Sequence, residues 1–190
     1  MSKKIKVLVL VDVQNDFITG SLHNEEAIKA VPRIVERVNS FDGNLIVLTQ
    51  DTHYPDDYVY SKEGKKLPVP HCYKGTEGWE VEKSVMDAVM EKGTAYMVCP
   101  KFTFGDLKLP KMMEEFLKFE ADYDFKTDEL EIEMCGFCTD ICVVSNALII
   151  KANLFNKADI KVIADCCAGV TPESHQAALT TMKMCQIDII

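Results

Sequence analysis

Cys142 lies in the stretch Cys135–Leu148, CGFCTDICVVSNAL, which reads as a strand passing through a glycine turn into a cysteine-bearing helix. Ahead of it, Leu130, Ile132 and Met134 suit a strand entering a core. Beyond it, Ile141, Val144, Leu148, Ala152 and Phe155 recur at steps of three and four, the period of one helix face. Thr139 with Asp140 offers an N-cap and a first-turn carboxylate, so the helix is expected to begin at one of these two residues. Cys142 then falls, partly exposed, in the first turn, where free backbone N–H groups and the positive end of the helix dipole favour a thiolate. An ordinary thiol titrates at a pKa of about 8.5, so a cysteine nucleophile needs such help at neutral pH. Two other readings stay open on this stretch alone. A cysteine in an apolar helix also serves as a small buried hydrophobe. The spacing of Cys135, Cys138 and Cys142 invites a metal or redox role, although no second CxxC pair follows.

The elements that must position such a nucleophile can be read along the chain. Ile5–Val11 (IKVLVLV) is an apolar run of the kind buried on both faces of a parallel sheet, and it ends at Asp12. In open α/β sheets the carboxyl edge of the strands is where ligands bind. After a loop over Val13–Gly20, Pro32 places the first solid helix at about Val31–Ser40, because proline suits a first turn and not an interior. Asn44–Thr49 is a second strand delivering Asp51 and His53 to the edge that holds Asp12. The segment Tyr54–Gly78, with three prolines and three glycines, has no clean period and reads as a long functional loop containing His71. A helix over Glu80–Glu91 stops at Gly93, and the strand Ala95–Cys99 hands over Pro100 and Lys101. A short helix over Lys111–Phe119 and an acidic, solvated connector over Glu120–Thr127 precede the cysteine segment. Asp159–Ala164, Pro172–Met184 and Ile187–Ile190 complete the pattern as strand, helix and strand. Alternation of strand and helix throughout predicts an α/β fold of three layers in one domain over residues 1–190, with a mainly parallel sheet and helices on both faces.

Strand ends therefore gather Asp12, Lys101 and Cys142 on one side of the sheet: a nucleophile, a carboxylate able to take its proton, and a cation that stabilises the ionised pair. Asp51, His53 and His71 form a second set. Residues two apart in an extended chain point the same way, so Asp51 and His53 share a face, and the three suit a divalent metal. A pair of surface histidines in a mobile loop is the competing explanation. Phe17 is a candidate pocket wall and equally a core residue.

Composition removes several classes. A chain of 190 residues can bury roughly 70% of its unfolded surface, enough for a full core. The formal net charge of −9 argues against nucleic acid, whose binding needs a basic surface. Asp12 interrupts the N-terminal apolar run, and no stretch approaches the roughly 18 residues of a membrane span, so no membrane association is expected. The eight cysteines do not form a secreted disulfide framework in a chain this long, and reduced thiols in a cytoplasmic protein fit better.

Val11-Asp12-Val13-Gln14-Asn15-Asp16-Phe17, Lys101 after Cys99-Pro100, and Gly136-Phe137-Cys138-Thr139-Asp140-Ile141-Cys142-Val143 together resemble the signature segments of the isochorismatase-like cysteine hydrolases. Within that superfamily, Asp51, His53 and the run from His71 to Gly78 are similar to the metal-binding and loop motifs of nicotinamidases. The resemblance implies a Rossmann-like fold with a six-stranded sheet, a catalytic triad of Asp12, Lys101 and Cys142, and a zinc ion, or iron or manganese, beside it. It also implies a cis peptide between Phe137 and Cys138, an oxyanion hole from the backbone N–H groups of Cys138 and Cys142, and a homo-oligomer. The implied reaction is hydrolysis of a small-molecule amide, nicotinamide to nicotinate and ammonia, through a thioester. The chain departs from the pattern at Leu67, Pro68 and Val69, where nicotinamidases often have a tryptophan, and at Asp56, Asp57 and Tyr58, where some have a further histidine ligand. These departures bear on the substrate rather than the reaction type. A carbamoyl or ureido amide, or a metal-dependent hydrolysis with a structural Cys142, are the alternatives.

Overall fold

The apolar run that opens the chain forms β1 (Lys4–Val11), whose last five residues are all buried. A computed structural model describes residues 3–124, 126, 128–154 and 157–190. In it β1 lies inside a six-stranded sheet ordered β3-β2-β1-β4-β5-β6, with β2 (Leu45–Asp51), β3 (Tyr96–Lys101), β4 (Glu129–Phe137), β5 (Ala158–Ala168) and β6 (Asp188–Ile189). Every pairing is parallel, as the continuous apolar runs of β1 and β2 require. Pro100 falls within β3, which is an edge strand, the place where a missing N–H is tolerated.

The chain winds outward from β1 to β3, then returns to start again at β4 on the other side of β1. Strand order therefore reverses between β1 and β4, and that reversal leaves a crevice at their carboxyl ends. Val11 and Gly136 are register partners there, and a Cβ on Gly136 would lie 2.0 Å from the Val11 carbonyl oxygen. Only glycine fits, and its φ of 127° is one that glycine alone adopts easily. The next residue after Val11 is Asp12, held at φ 51° in the left-handed region.

Helices cover both faces: α2 (Glu25–Ser40) packs on α5 (Lys83–Lys92) and β5, while α6 (Leu109–Glu120), α7 (Val144–Asn153) and α8 (Pro172–Met184) pack in sequence on one another. The first long helix starts earlier than the proline predicted. Asn24 caps it by accepting from Glu26 and Ala27, and Pro32 sits inside it. Both Pro32 and Ile28 are exposed, so the proline lies on the solvent side of the helix. The expected loop Val13–Gly20 contains the turn α1 (Asn15–Ile18), and Tyr54–Gly78 contains α3 (Pro55–Tyr58) and α4 (Lys62–Lys66). Thr171 starts α8 with a capping box, just ahead of Pro172.

The cysteine segment differs from expectation in phase. Thr139 and Asp140 do not cap a helix: Thr139 is buried and its hydroxyl bonds His175 Nδ1 at 2.8 Å, and Asp140 accepts from the Val170 N–H. Thr139–Val143 instead form a π-turn, wider by one residue, that runs into α7. The inserted residue rotates the buried face to Val143, Asn146, Ala147, Ile150 and Leu154, leaving Ile141, Val144 and Leu148 half-buried and Ala152 exposed. Phe155, expected on that face, lies outside the described residues, as do Phe125 and Thr127 of the acidic connector. Among the described residues no helix is long and apolar enough to cross a membrane.

Candidate active site

Asp12, Asp51 and Lys101 stand at or just beyond the ends of β1, β2 and β3, and Cys142 projects from the π-turn after β4. They meet at the Lys101 ammonium, whose Nζ lies 2.7 Å from Asp12 Oδ2, 3.3 Å from Asp51 Oδ1 and 3.5 Å from Cys142 Sγ. Nζ also donates to the Thr103 carbonyl at 3.2 Å. The ammonium is wholly buried, a position a charge keeps only when it is compensated on several sides.

Asp12 is oriented by Thr49, whose hydroxyl donates to Oδ1 at 2.6 Å. Oδ2 has the Lys101 ion pair and no aligned hydrogen bond, which leaves a lone pair for a thiol proton. Burial raises the Asp12 carboxyl above its ordinary range, against the pull of Lys101. Burial likewise pushes the Cys142 thiol up, joined by the negative charge of Asp12 and opposed by Lys101. The expectation of a partly exposed, thiolate-prone cysteine is corrected here: Cys142 is 4% exposed, and desolvation is the largest cause of the upward direction. Lys101 stays protonated, raised by Asp12, Cys142 and Asp51 against desolvation.

The second set also assembles, with one addition. Asp51, His53, His71 and Glu63 bring ligand atoms within 4.8 Å of one another. Asp51 Oδ2 is 2.9 Å from His53 Nε2, and Glu63 Oε1 is 3.6 and 3.7 Å from His53 and His71 Nε2. His71 Nδ1 donates to the Val69 carbonyl at 2.9 Å, the bond that frees Nε2 as a ligand. Two imidazoles and two carboxylates suit zinc, iron or manganese. Glu63 sits in α4, one turn long, and Asp56 and Asp57 of α3 are not among these four ligands. Tyr58, from the same stretch, packs its ring 4.6 Å from His53 and 5.2 Å from His71.

Gln14 supports both sets: its amide donates to the Asp51 and Trp79 carbonyls, and its Oε1 accepts from the Asp51 N–H at 2.8 Å. A cavity of about 880 Å³ opens beside them, lined by Phe17, Cys142, Cys138, His71, Phe104 and Leu67 among others. Phe17 is both wall and core, its ring 5.9 Å from His71. The Phe137–Cys138 peptide bond is cis.

The isochorismatase domain model matches residues 6–190. The chain belongs to the isochorismatase family. The nicotinamidase/pyrazinamidase of Mycobacterium tuberculosis is 25% identical over 194 residues, covering 98% of each chain. The crystal structure of nicotinamidase/pyrazinamidase PncA from Bacillus subtilis superposes with a TM-score of 0.80 at 24% identity, over 97% of this family member and 98% of that chain. A pyrazinamidase of Pyrococcus horikoshii, solved in complex with zinc, gives 0.68 at 23% identity over 97% and 98%. At these identities the structures establish a shared fold.

Proposed function

We propose that this protein is a cysteine amidohydrolase that converts a small carboxamide, nicotinamide first among candidates, to the carboxylate and ammonia. The observation that carries the reading is the single ammonium in contact with a carboxylate and a sulfur at the wall of a cavity. Asp12 takes the Cys142 proton, and Lys101 stabilises both anions as the thiolate attacks the carboxamide carbon. The backbone N–H groups of Cys138 and Cys142 hold the oxyanion. Collapse expels ammonia with the proton from Asp12 and leaves a thioester on Cys142. Asp12 then draws a proton from water, which hydrolyses the thioester and restores the thiol.

Asp51, His53, Glu63 and His71 are the residues that would hold a divalent cation, zinc by preference, on the side of the cavity facing Phe17. When bound, it supplies a Lewis-acidic position that orients a donor atom of the substrate, such as a ring nitrogen. Asp51 would serve both sets, one oxygen toward the ammonium and the other toward the imidazoles. A carbamoyl or ureido amide is the second substrate class, favoured by an aliphatic Leu67 rather than an aromatic ring at the wall. The reading extends to a cytoplasmic homo-oligomer. Its eight cysteines are free, and Phe102 and Leu107 are exposed on the loop after β3.

The test is ammonia release by the purified protein from nicotinamide and from a panel of amides, with Cys142→Ala alongside. Turnover by the parent and none by the variant supports the assignment; a variant as fast as the parent removes Cys142 as nucleophile. Release from ureido amides alone moves the substrate to the second class. Light scattering of the same sample decides the oligomer.

A further inference from the structure

Asn146 takes no part in the chemistry above, yet its side chain is fully buried and bonded to two separate segments. Its Nδ2 donates to the Cys142 carbonyl at 2.8 Å and to the Phe104 carbonyl at 3.0 Å, and its Oδ1 accepts from the Asp106 N–H at 3.0 Å. We propose that Asn146 is a positioning residue that fastens the segment 103–106, whose Thr103 and Phe104 wall the cavity, to the turn carrying Cys142. The proposal rests on the amidohydrolase reading and adds to it the means by which the substrate wall is held.

Three observations carry it. Thr103 and Phe104 line the cavity, and the Thr103 carbonyl accepts from the Lys101 ammonium, so this segment touches both the substrate space and the catalytic cation. Phe104 is 43% exposed, so core packing does little to hold it. Among the described residues, the hydrogen bonds tying residues 104–106 to a distant element both run to Asn146. Gly105 is pressed onto α7 as well: a Cβ there would lie 2.5 Å from Ile149 Cδ1 and 3.0 Å from Ser145 Cβ. The amide also serves the π-turn, where Ser145 Oγ makes the parallel bond to the Ile141 carbonyl at 2.6 Å. One planar side chain therefore sets the distance between the Cys142 backbone and the adjoining wall segment.

Asn146→Thr separates the two duties, because a threonine hydroxyl can copy the Ser145 bond to the carbonyl four residues back but is too short to reach Phe104. Asn146→Ala removes both, and Ser145→Ala, which touches only the turn, is the control. Hydrogen exchange at the Asp106 amide and steady-state kinetics on the hydrolysed amide are measured for all four proteins. The expected result is faster Asp106 exchange in both Asn146 variants and not in Ser145→Ala. KM should rise by about tenfold while kcat stays within about threefold of the parent. Should Asn146→Ala fail to fold, Asn146→Thr carries the test alone. Unchanged exchange overturns the fastening, and faster exchange with unchanged KM overturns the positioning role. If the parent hydrolyses no amide, the function reading falls separately, and the rate of Cys142 alkylation by iodoacetamide replaces KM; equal rates across the variants then overturn the positioning role.

Discussion

Replacing Asp12 by Asn separates proton transfer from charge in the active site. The side chain keeps its shape and its contact with Thr49, but loses both the acceptor for the thiol proton and one negative charge. Oδ2 and Sγ touch the same ammonium nitrogen at 2.7 and 3.5 Å, so they lie at most about 6 Å apart. At an effective dielectric of about 20, a thiolate and a carboxylate at that separation repel by about 3 kcal/mol, or about a hundredfold in thiolate population. Turnover should fall by about 10²–10⁴, the usual loss when a general base is removed. Alkylation of Cys142 by iodoacetamide should move the other way at alkaline pH. The variant's thiolate is relieved of the repulsion while keeping Lys101; allowing for the lower nucleophilicity of a less basic thiolate, the rate should gain about tenfold. The pH profiles should differ as well. In the parent, the thiol proton passes internally to Asp12, so the rate is flat while the pair holds one shared proton. In the variant the proton goes to solvent, and the rate climbs about tenfold per pH unit. Stopped assays of alkylation by mass spectrometry between neutral and alkaline pH give both curves. Turnover and alkylation falling together by the same factor would refute the argument, since Asp12 would then merely hold the site in shape.

Glu63→Gln should lower the metal content of dialysed protein, measured by elemental analysis, without changing the fold; retention of the parental content would remove Glu63 from the ligand set. Gly136→Ala should cost about 3 kcal/mol or more in urea unfolding and abolish activity, because the new methyl meets the Val11 carbonyl at 2.0 Å just before Asp12. A parental midpoint would mean the strands can part there freely. Glu131 is held below its usual carboxyl range, chiefly by the Lys161 hydrogen bond at 2.7 Å against desolvation, with Lys4 adding to it. A depressed folded carboxyl contributes stability above its unfolded pKa of about 4.3, and that stability is lost as pH falls through the folded value. Glu131→Gln should therefore cost about 1 kcal/mol at neutral pH and flatten the acid limb of the stability curve. An acid limb as steep as the parent's would refute the assignment.

What the sequence disclosed and what it withheld follow from the range of the forces involved. Strands announce themselves by local apolar runs, so β1, β2, β3 and β4 are legible, and with the first three of them the strand-end positions of Asp12, Asp51 and Lys101. Whether those ends converge depends on strand order, and the outward and returning winding about β1 leaves no local trace. The phase of the cysteine helix is not legible, because a period of three and four assumes regular turns, whereas the π-turn adds one residue and Cys142 lies in the interior. That burial in turn reverses the sign of the thiol's expected perturbation, an effect of desolvation that no neighbouring letter encodes. Glu63 escaped for a related reason: α4 is a single turn with no period, and only the fold of the 54–78 segment brings its carboxylate to the histidines. Asn146 gave no signal at all, since a polar residue on a predicted helix reads as solvent-facing until the turn before it is known to be wide. In this chain the geometry of one irregular turn therefore decides the burial of Cys142, the helix face that packs, and the inward placement of Asn146.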